Sequence, residues 1–171
     1  MAMPEPGVGD GQPPAPQTST LGPSLKGRAL RHLSAREHSR SELLRKLRPH
    51  AESEAELLAV LDDLQAKDLL SETRLAQAVV RTGAAKFGNA RLKANLQAKG
   101  LSAEQVEDAL AGLDDDELSR ATQVWRKKFA VVATDPKTRA KQMRFLASRG
   151  FAQATIHRVM RGGEDDLVGD F

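Results

Sequence analysis

Residues able to do nucleophilic, acid–base or metal chemistry are few in this 171-residue chain and poorly spaced for it. Cysteine is absent, which excludes disulfides, thiolate metal sites and thiol nucleophiles. The histidines, His32, His38, His50 and His157, form no HExxH or other compact ligand pattern and read as scattered surface residues. The run Asp114, Asp115, Asp116, Glu117 is dense enough to hold magnesium or to supply paired carboxylates. It stands where a helix begins, however, and acids there favour the helix dipole. GVGDG near the start has spaced glycines but follows no strand and lies among prolines, so it does not read as a dinucleotide site. The sequence therefore offers no catalytic residue, cofactor or metal site, and the chain reads as non-enzymatic.

What remains is charge. The stretch NARLKANLQAKGL, residues 89–101, holds three cations and no acid. Leu92 and Leu96 mark its buried edge, Gly100 offers a left-handed helix end, and Lys99 suits the dipole of the last turn. Arg91 and Lys93 have no acidic neighbour at helical spacing. Counted by segment, residues 26–48 carry net +6, 51–72 net −6, 74–100 net +6, 101–118 net −7 and 120–161 net +10, so a formal total of +3 hides strong polarisation. Alternating charge can serve only as solvated faces and internal salt bridges. Acid-free runs such as 74–100 exceed what local pairing requires, and a basic stripe would attract a polyanion from about a Debye length, ~8 Å.

These charges sit on an expected all-α scaffold. Aromatics are 4% of the chain, tyrosine is absent, and Ala, Leu, Arg, Lys and Glu dominate. No apolar run approaches the length of a membrane span and the start lacks the features of a signal peptide, which points to a cytoplasmic protein. Residues 1–24 read as a disordered Pro/Gly-rich tail and 162–171 as an acidic tail.

Between them lies a period of 45 to 50 residues. Leu47, Leu96 and Leu146 coincide, as do Gly100 and Gly150, each followed by an apolar residue. Ala29, Ala76 and Ala121 align upstream, and the pairs Val60 and Leu64, Val106 and Leu110, Ile156 and Met160 align downstream. The pattern predicts three units, 25–70, 71–113 and 114–161. Each holds three helices: 25–36, 40–49 and 54–68; 72–86, 89–99 and 103–112; 116–130, 136–149 and 153–161. Ser39 with Glu42, Ser53 with Glu56 and Ser102 with Gln105 have capping-box spacing, and Asp135 before Pro136 supplies a cap with proline at the first helical position. Trp125, Phe129, Phe145 and Phe151 are expected to fill the third unit. Such units bury little alone and must stack into an elongated, curved array, with the basic helices along one side.

The succession LRHLSAREHSRSELLRKL, VLDDLQAKDLLSETRLAQAVVR, GNARLKANLQAKGL, WRKKF and RAKQMRFLASRGF resembles the RecX family of regulators of the RecA recombinase, over residues 25–161. Where many relatives carry an RFA triplet, this chain has Arg74, Leu75 and Ala76, one apolar residue exchanged for another. The resemblance implies a protein of tandem three-helix repeats that lodges in the groove of the RecA and single-stranded DNA filament and contacts more than one subunit, and the chain itself is expected to be a monomer. It also implies inhibition of strand exchange, ATP hydrolysis and co-protease action; DNA, single- or double-stranded, stands beside the filament as a candidate contact that the sequence leaves open. The basic stripe adds a physical reason, since several weak contacts along one surface act together. The candidates for partner binding are Arg36, Arg40, Lys46, Lys86, Arg91, Lys93, Arg126, Lys127, Lys128, Lys141 and Arg144. The alternative is a direct DNA-binding protein using helix-turn-helix-like units. A third, a scaffold joining other helical proteins, predicts binding insensitive to salt.

Overall fold

A computed structural model of the chain describes residues 22–113 and 116–165, and these form nine α-helices and no strand. In order they are α1 (Leu25–Ala35), α2 (Arg40–Leu47), α3 (Glu54–Ala66), α4 (Glu72–Gly83), α5 (Asn89–Ala98), α6 (Ala103–Ala111), α7 (Glu117–Arg126), α8 (Pro136–Ser148) and α9 (Gln153–Asp165), with a 3-10 turn Arg48–His50 after α2. The expected disordered tail lies, up to residue 21, outside the described residues. The acidic tail is partly helical, because α9 continues to Asp165, while residues 166–171 lie outside them.

Local chemistry accounts for most helix starts. Ser39 and Ser102 form full capping boxes with Glu42 and Gln105, each side chain satisfying an otherwise unpaired backbone N–H of the other. Ser53 accepts from the Glu56 N–H, but Glu56 reaches the Glu52 N–H instead of closing the box. Asp135 caps α8 with Pro136 at its first position, and Asp116 caps α7, so the described part of the Asp114–Glu117 cluster does the work of a helix start. Most helices end within two residues of expectation, but α4 ends at Gly83 where 86 was expected and α7 at Arg126 where 130 was expected. The chain after α4 turns at once, with the Lys86 and Phe87 N–H groups both on the Gly83 carbonyl, and after α7 the Lys128 and Phe129 N–H groups converge on the Trp125 carbonyl.

The repeat is visible in what is buried. Leu47, Leu96 and Leu146 are each fully enclosed, and Ala29, Ala76 and Ala121 pack at equivalent places on the first helix of each triplet. Three hydrophobic clusters result, one from α1 to α3, one from α4 to α6 and one from α7 to α9. Leu75, which stands in the RFA position, is buried in the second cluster. Trp125 and Phe151 fill the third, whereas Phe129 and Phe145 are only half-buried against it, their rings edge to face at 5.4 Å. Gly100 and Gly150 end α5 and α8 with φ of +85° and +82°, as a left-handed helix terminus requires. The first unit departs here. Arg48–His50 with Pro49 makes its turn, and Ala51 at the glycine position is extended.

Candidate functional site

The units join at their second helices. At each junction the N-terminal turn of one second helix meets the C-terminal turn of the next unit's second helix, so partial charges of opposite sign face each other. At the second junction the Gly88 N–H donates to the Arg149 carbonyl (2.9 Å) and the Ala90 N–H to the Gly150 carbonyl (3.2 Å). Glycine is required on both sides. A Cβ on Gly88 would stand 2.3 Å from the Gly150 oxygen, and one on Gly150 would stand 2.6 Å from the Arg91 nitrogen. The first junction is made by side chains. The Ser41 hydroxyl donates to the Lys99 carbonyl (3.0 Å), the Lys99 ammonium to Glu42 (3.1 Å), and Arg74 to Glu37 (2.9 Å).

A glutamate completes each junction. Glu72, in the first turn of α4, accepts from the Arg40 N–H (3.1 Å), while its other oxygen accepts from the Gln105 amide (2.9 Å). Glu117, in the first turn of α7, does the same with the Asn89 N–H (2.9 Å) and the Thr155 hydroxyl (2.8 Å). Each ties the preceding unit's second helix to its own unit's third. The signal was present in the sequence, since Glu72 and Glu117 both stand four residues before the aligned Ala76 and Ala121. The first unit has buried Leu25 at the equivalent position.

Because the Arg149 main chain makes the second junction, its side chain is left for something else. It lies over the Phe87 ring (5.8 Å to the centroid) and the Phe145 ring (5.1 Å). Lys128 stands over Phe145 at 4.3 Å and Phe129 at 5.7 Å, and Arg91 is 5.9 Å from Phe87. Such contacts are worth about 0.5–1 kcal/mol each at exposed sites. They hold the cations in place without neutralising them. Lys86, Lys127, Lys128 and Arg149 thus rim a cleft of about 340 Å³ whose floor is Ala85, Val124 and Phe145, with no acid in its lining. A larger groove of about 700 Å³ between α4 and α6 has mixed charge, with Arg81 and Asp108 in its walls, and none of the candidate cations lines it.

Of the candidates read from sequence, the structure brings Lys86, Arg91, Lys127 and Lys128 to this junction, together with Arg149, which sequence reasoning missed. Arg149 occupies the place of Lys99 in the repeat, immediately before the aligned glycine, and that was its signal. Lys141 stands on α8 one turn before Phe145 and is exposed, as is Arg144. Arg126 is exposed at the end of α7. Lys93 is exposed but two positions from Arg91, which turns it to the other side of α5, so these two residues do not act as one patch. Lys46 is exposed on α2, with no ion pair among the described residues.

Arg36 and Arg40 differ from expectation. Arg36 is 3.3 Å from Glu42, and Arg40 reaches across to Asp62 on α3 (2.7 Å) and Gln65, so internal carboxylates neutralise both. Glu42 gathers Lys99, the Ser39 N–H and Arg36. Burial opposes its ionisation, but these partners outweigh it and hold its carboxyl at about 2. Two of the four histidines also need correction, while His50 and His157 are exposed as expected. His38 is 1% exposed, with Nδ1 3.0 Å from the Arg36 carbonyl, and burial together with nearby cations lowers its pKa. His32 is half-buried beside it, ring centroids 5.7 Å apart.

Comparison with known proteins agrees with this architecture. The family models for the second and third three-helix domains of RecX match residues 71–110 and 114–160. The chain is 51% identical over 138 residues to the regulatory protein RecX of Leptothrix cholodnii, covering 81% of this chain and 88% of that one. It is 46% identical over 143 residues to the regulatory protein RecX of Herminiimonas arsenicoxydans, covering 84% and 95%. A crystal structure of RecX from Lactobacillus salivarius has the same fold, with a TM-score of 0.70 at 22% identity over 82% of this chain and 94% of that one. No helix among the described residues is long and apolar enough to cross a membrane.

Proposed function

The chain belongs to the RecX family of regulatory proteins, and on that footing we propose that it is a cytoplasmic, monomeric inhibitor of the RecA recombinase. It lies in the groove of the filament that RecA forms on single-stranded DNA, and it suppresses strand exchange, ATP hydrolysis and co-protease activity. Its working parts are the repeats 25–70, 71–113 and 114–161, between the tails 1–24 and 162–171.

The observation that carries this reading is the cleft at the second junction, where cations from two neighbouring units converge on aromatic rings with no acid among them. An exposed lysine on a mobile stem loses entropy when it meets an anion. Cations already held against a ring lose less, so the site is prepared for a negatively charged groove. Arg91, Lys141 and Arg144 extend the contact along α5 and α8, and Lys46 adds a separate point on the first unit. Contacts spread over several units act together, which gives a steep dependence on salt.

The test follows ATP hydrolysis by the cognate recombinase on single-stranded DNA while this protein is titrated in. The doubly reversed Lys127→Glu, Lys128→Glu protein should need at least about tenfold more to inhibit, corresponding to loss of roughly 1.4 kcal/mol or more. Equal inhibition by the two proteins overturns the assignment of the cleft. Tighter binding to bare duplex than to recombinase-coated DNA at one salt concentration replaces the reading with direct DNA recognition.

A further inference from the structure

The second unit leaves open a face that its neighbours close. In the first unit, Lys26 and Asp63 bridge the first and third helices at 2.6 Å. In the third, Leu118, Trp125 and Phe129 of α7 pack in one cluster with Val159 of α9. The positions of the repeat that align with these residues are Thr73, Val80, Ala84 and Ala109, and at each the second unit has a smaller side chain than either neighbour. All four line the groove of about 700 Å³ between α4 and α6.

The charges of this groove are ordered along it. Both walls start at the same end, since the Gln105 amide meets Glu72 in the first turn of α4. Asp108 stands about one turn from that end and Arg81 more than two turns from it. Neither side chain has an ion-pair partner among the described residues. At the far end Arg120 donates to the Phe87 carbonyl (3.0 Å), just past α4. There the groove adjoins the basic cleft, because Ala84 lines one and Ala85 the other, and Arg120 and Val124 stand one turn apart on α7.

A phosphodiester chain would face Asp108 and leave the apolar floor of Ala76, Val80 and Ala109 uncovered. An extended peptide suits the groove poorly as well. The walls are helices whose backbone groups are already bonded within α4 and α6, so they offer a strand no main-chain pairing, and unpaired backbone groups are costly to bury. A helix brings its own backbone bonds and presents only side chains. The wall from Thr73 to Ala84 runs roughly 16 Å, about three turns, which is the length of a short helix.

We propose that this groove receives an amphipathic helix of the protein partner, with its apolar stripe on Val80 and Ala109, an acidic residue at the Arg81 end and a basic residue beside Asp108. The cleft attracts an anionic surface of almost any shape, whereas the groove selects for shape and for the direction of charge. The proposal rests on the reading of the recombinase as the partner. None of the cations of the cleft lines the groove, so the two assignments can fail separately.

The test uses the full chain and the cognate recombinase on single-stranded DNA. With a photoreactive benzoylphenylalanine in place of Thr73, at the margin of the groove, irradiation should join the two proteins within one amphipathic helix of the recombinase. Joining to DNA, to a second copy of this chain, or to nothing while inhibition persists overturns the proposal. Val80→Trp, which puts the third unit's residue at the same place in the repeat, and Gln77→Trp should each need about tenfold more protein to inhibit ATP hydrolysis. Gln77 is exposed, which keeps its variant informative if Val80→Trp does not fold. Arg81→Asp with Asp108→Arg leaves the net charge unchanged and should need about fivefold more. Undiminished inhibition by Gln77→Trp and by the exchanged pair, with Lys127→Glu, Lys128→Glu still impaired, overturns the groove and leaves the cleft standing. If the parent itself does not inhibit, the recombinase reading falls and the groove assignment with it.

Discussion

The two junctions solve one geometrical problem with different groups. Between the first and second units, side chains close the gap: Lys99 and Glu42, Arg74 and Glu37, Ser41 and the Lys99 carbonyl. Between the second and third, the main chain does so through Gly88, Ala90, Arg149 and Gly150. The consequence is electrostatic. Lys99 is consumed by its own protein, whereas Arg149, at the same place in the repeat, keeps its charge for the cleft. At this one position of the repeat, the basic side chain is left without a carboxylate where main-chain hydrogen bonds make the joint.

The sharpest way to break this contrast is to add one methyl group at each junction. Gly88→Ala brings its Cβ against the Gly150 and Phe151 backbone, which cannot move aside, and should cost about 3 kcal/mol in denaturant unfolding. Gly100→Ala meets only the Ser41 side chain, besides the strain of a φ of +85°, and should cost roughly 1–2 kcal/mol. Equal losses would remove the distinction between a main-chain and a side-chain joint.

Acid should then act on the first junction. Glu42 is held at about 2, below the 4.5 it has when unfolded. Its contribution, on the order of 3 kcal/mol, is complete above pH about 4.5 and is lost as pH falls towards 2. Glu42→Gln should lower stability by about 2 kcal/mol at neutral pH and flatten the decline over that interval. An acid limb as steep in the variant as in the parent would show that other carboxylates dominate. His38 works in the same direction at higher pH. Buried with a lowered pKa, it contributes stability above about 6.5 that is lost as pH falls towards its folded value.

The smallest effect should be on the cleft itself. Lys127→Ala with Lys128→Ala should change stability by only about 1 kcal/mol, mostly the lost ring contacts, while inhibition of the recombinase should fall strongly. A loss of several kcal/mol would make these residues part of the scaffold rather than of a binding surface.

The scaffold was largely legible because helix starts and ends are written locally. Ser39, Ser102 and Asp135 announce caps through neighbours three residues away, and Gly100 and Gly150 announce ends through their own backbone freedom. The junctions were less legible because they depend on contacts between distant units. Periodicity placed Arg40 on a basic helix but gave no sign of Asp62 opposite it, and composition made His38 a surface residue although it is enclosed. Glu72 and Glu117 read as acidic charge and helix-start residues, and although both stand at one position of the repeat, their partners Arg40, Gln105, Asn89 and Thr155 emerge only in three dimensions.

Those ties also distinguish the inner joints from the outer faces of the described stack. Each needs a backbone N–H at the first position of the upstream second helix, provided by Arg40 and Asn89. In α8 that position is Pro136, which has no hydrogen to give. At the opposite end Pro49 and Ala51 replace the glycine turn that would dock onto an earlier neighbour. Proline therefore withholds from both outer faces of the described stack the groups that the inner joints use, and docking a further unit onto α8 in the same way would require replacing Pro136 first.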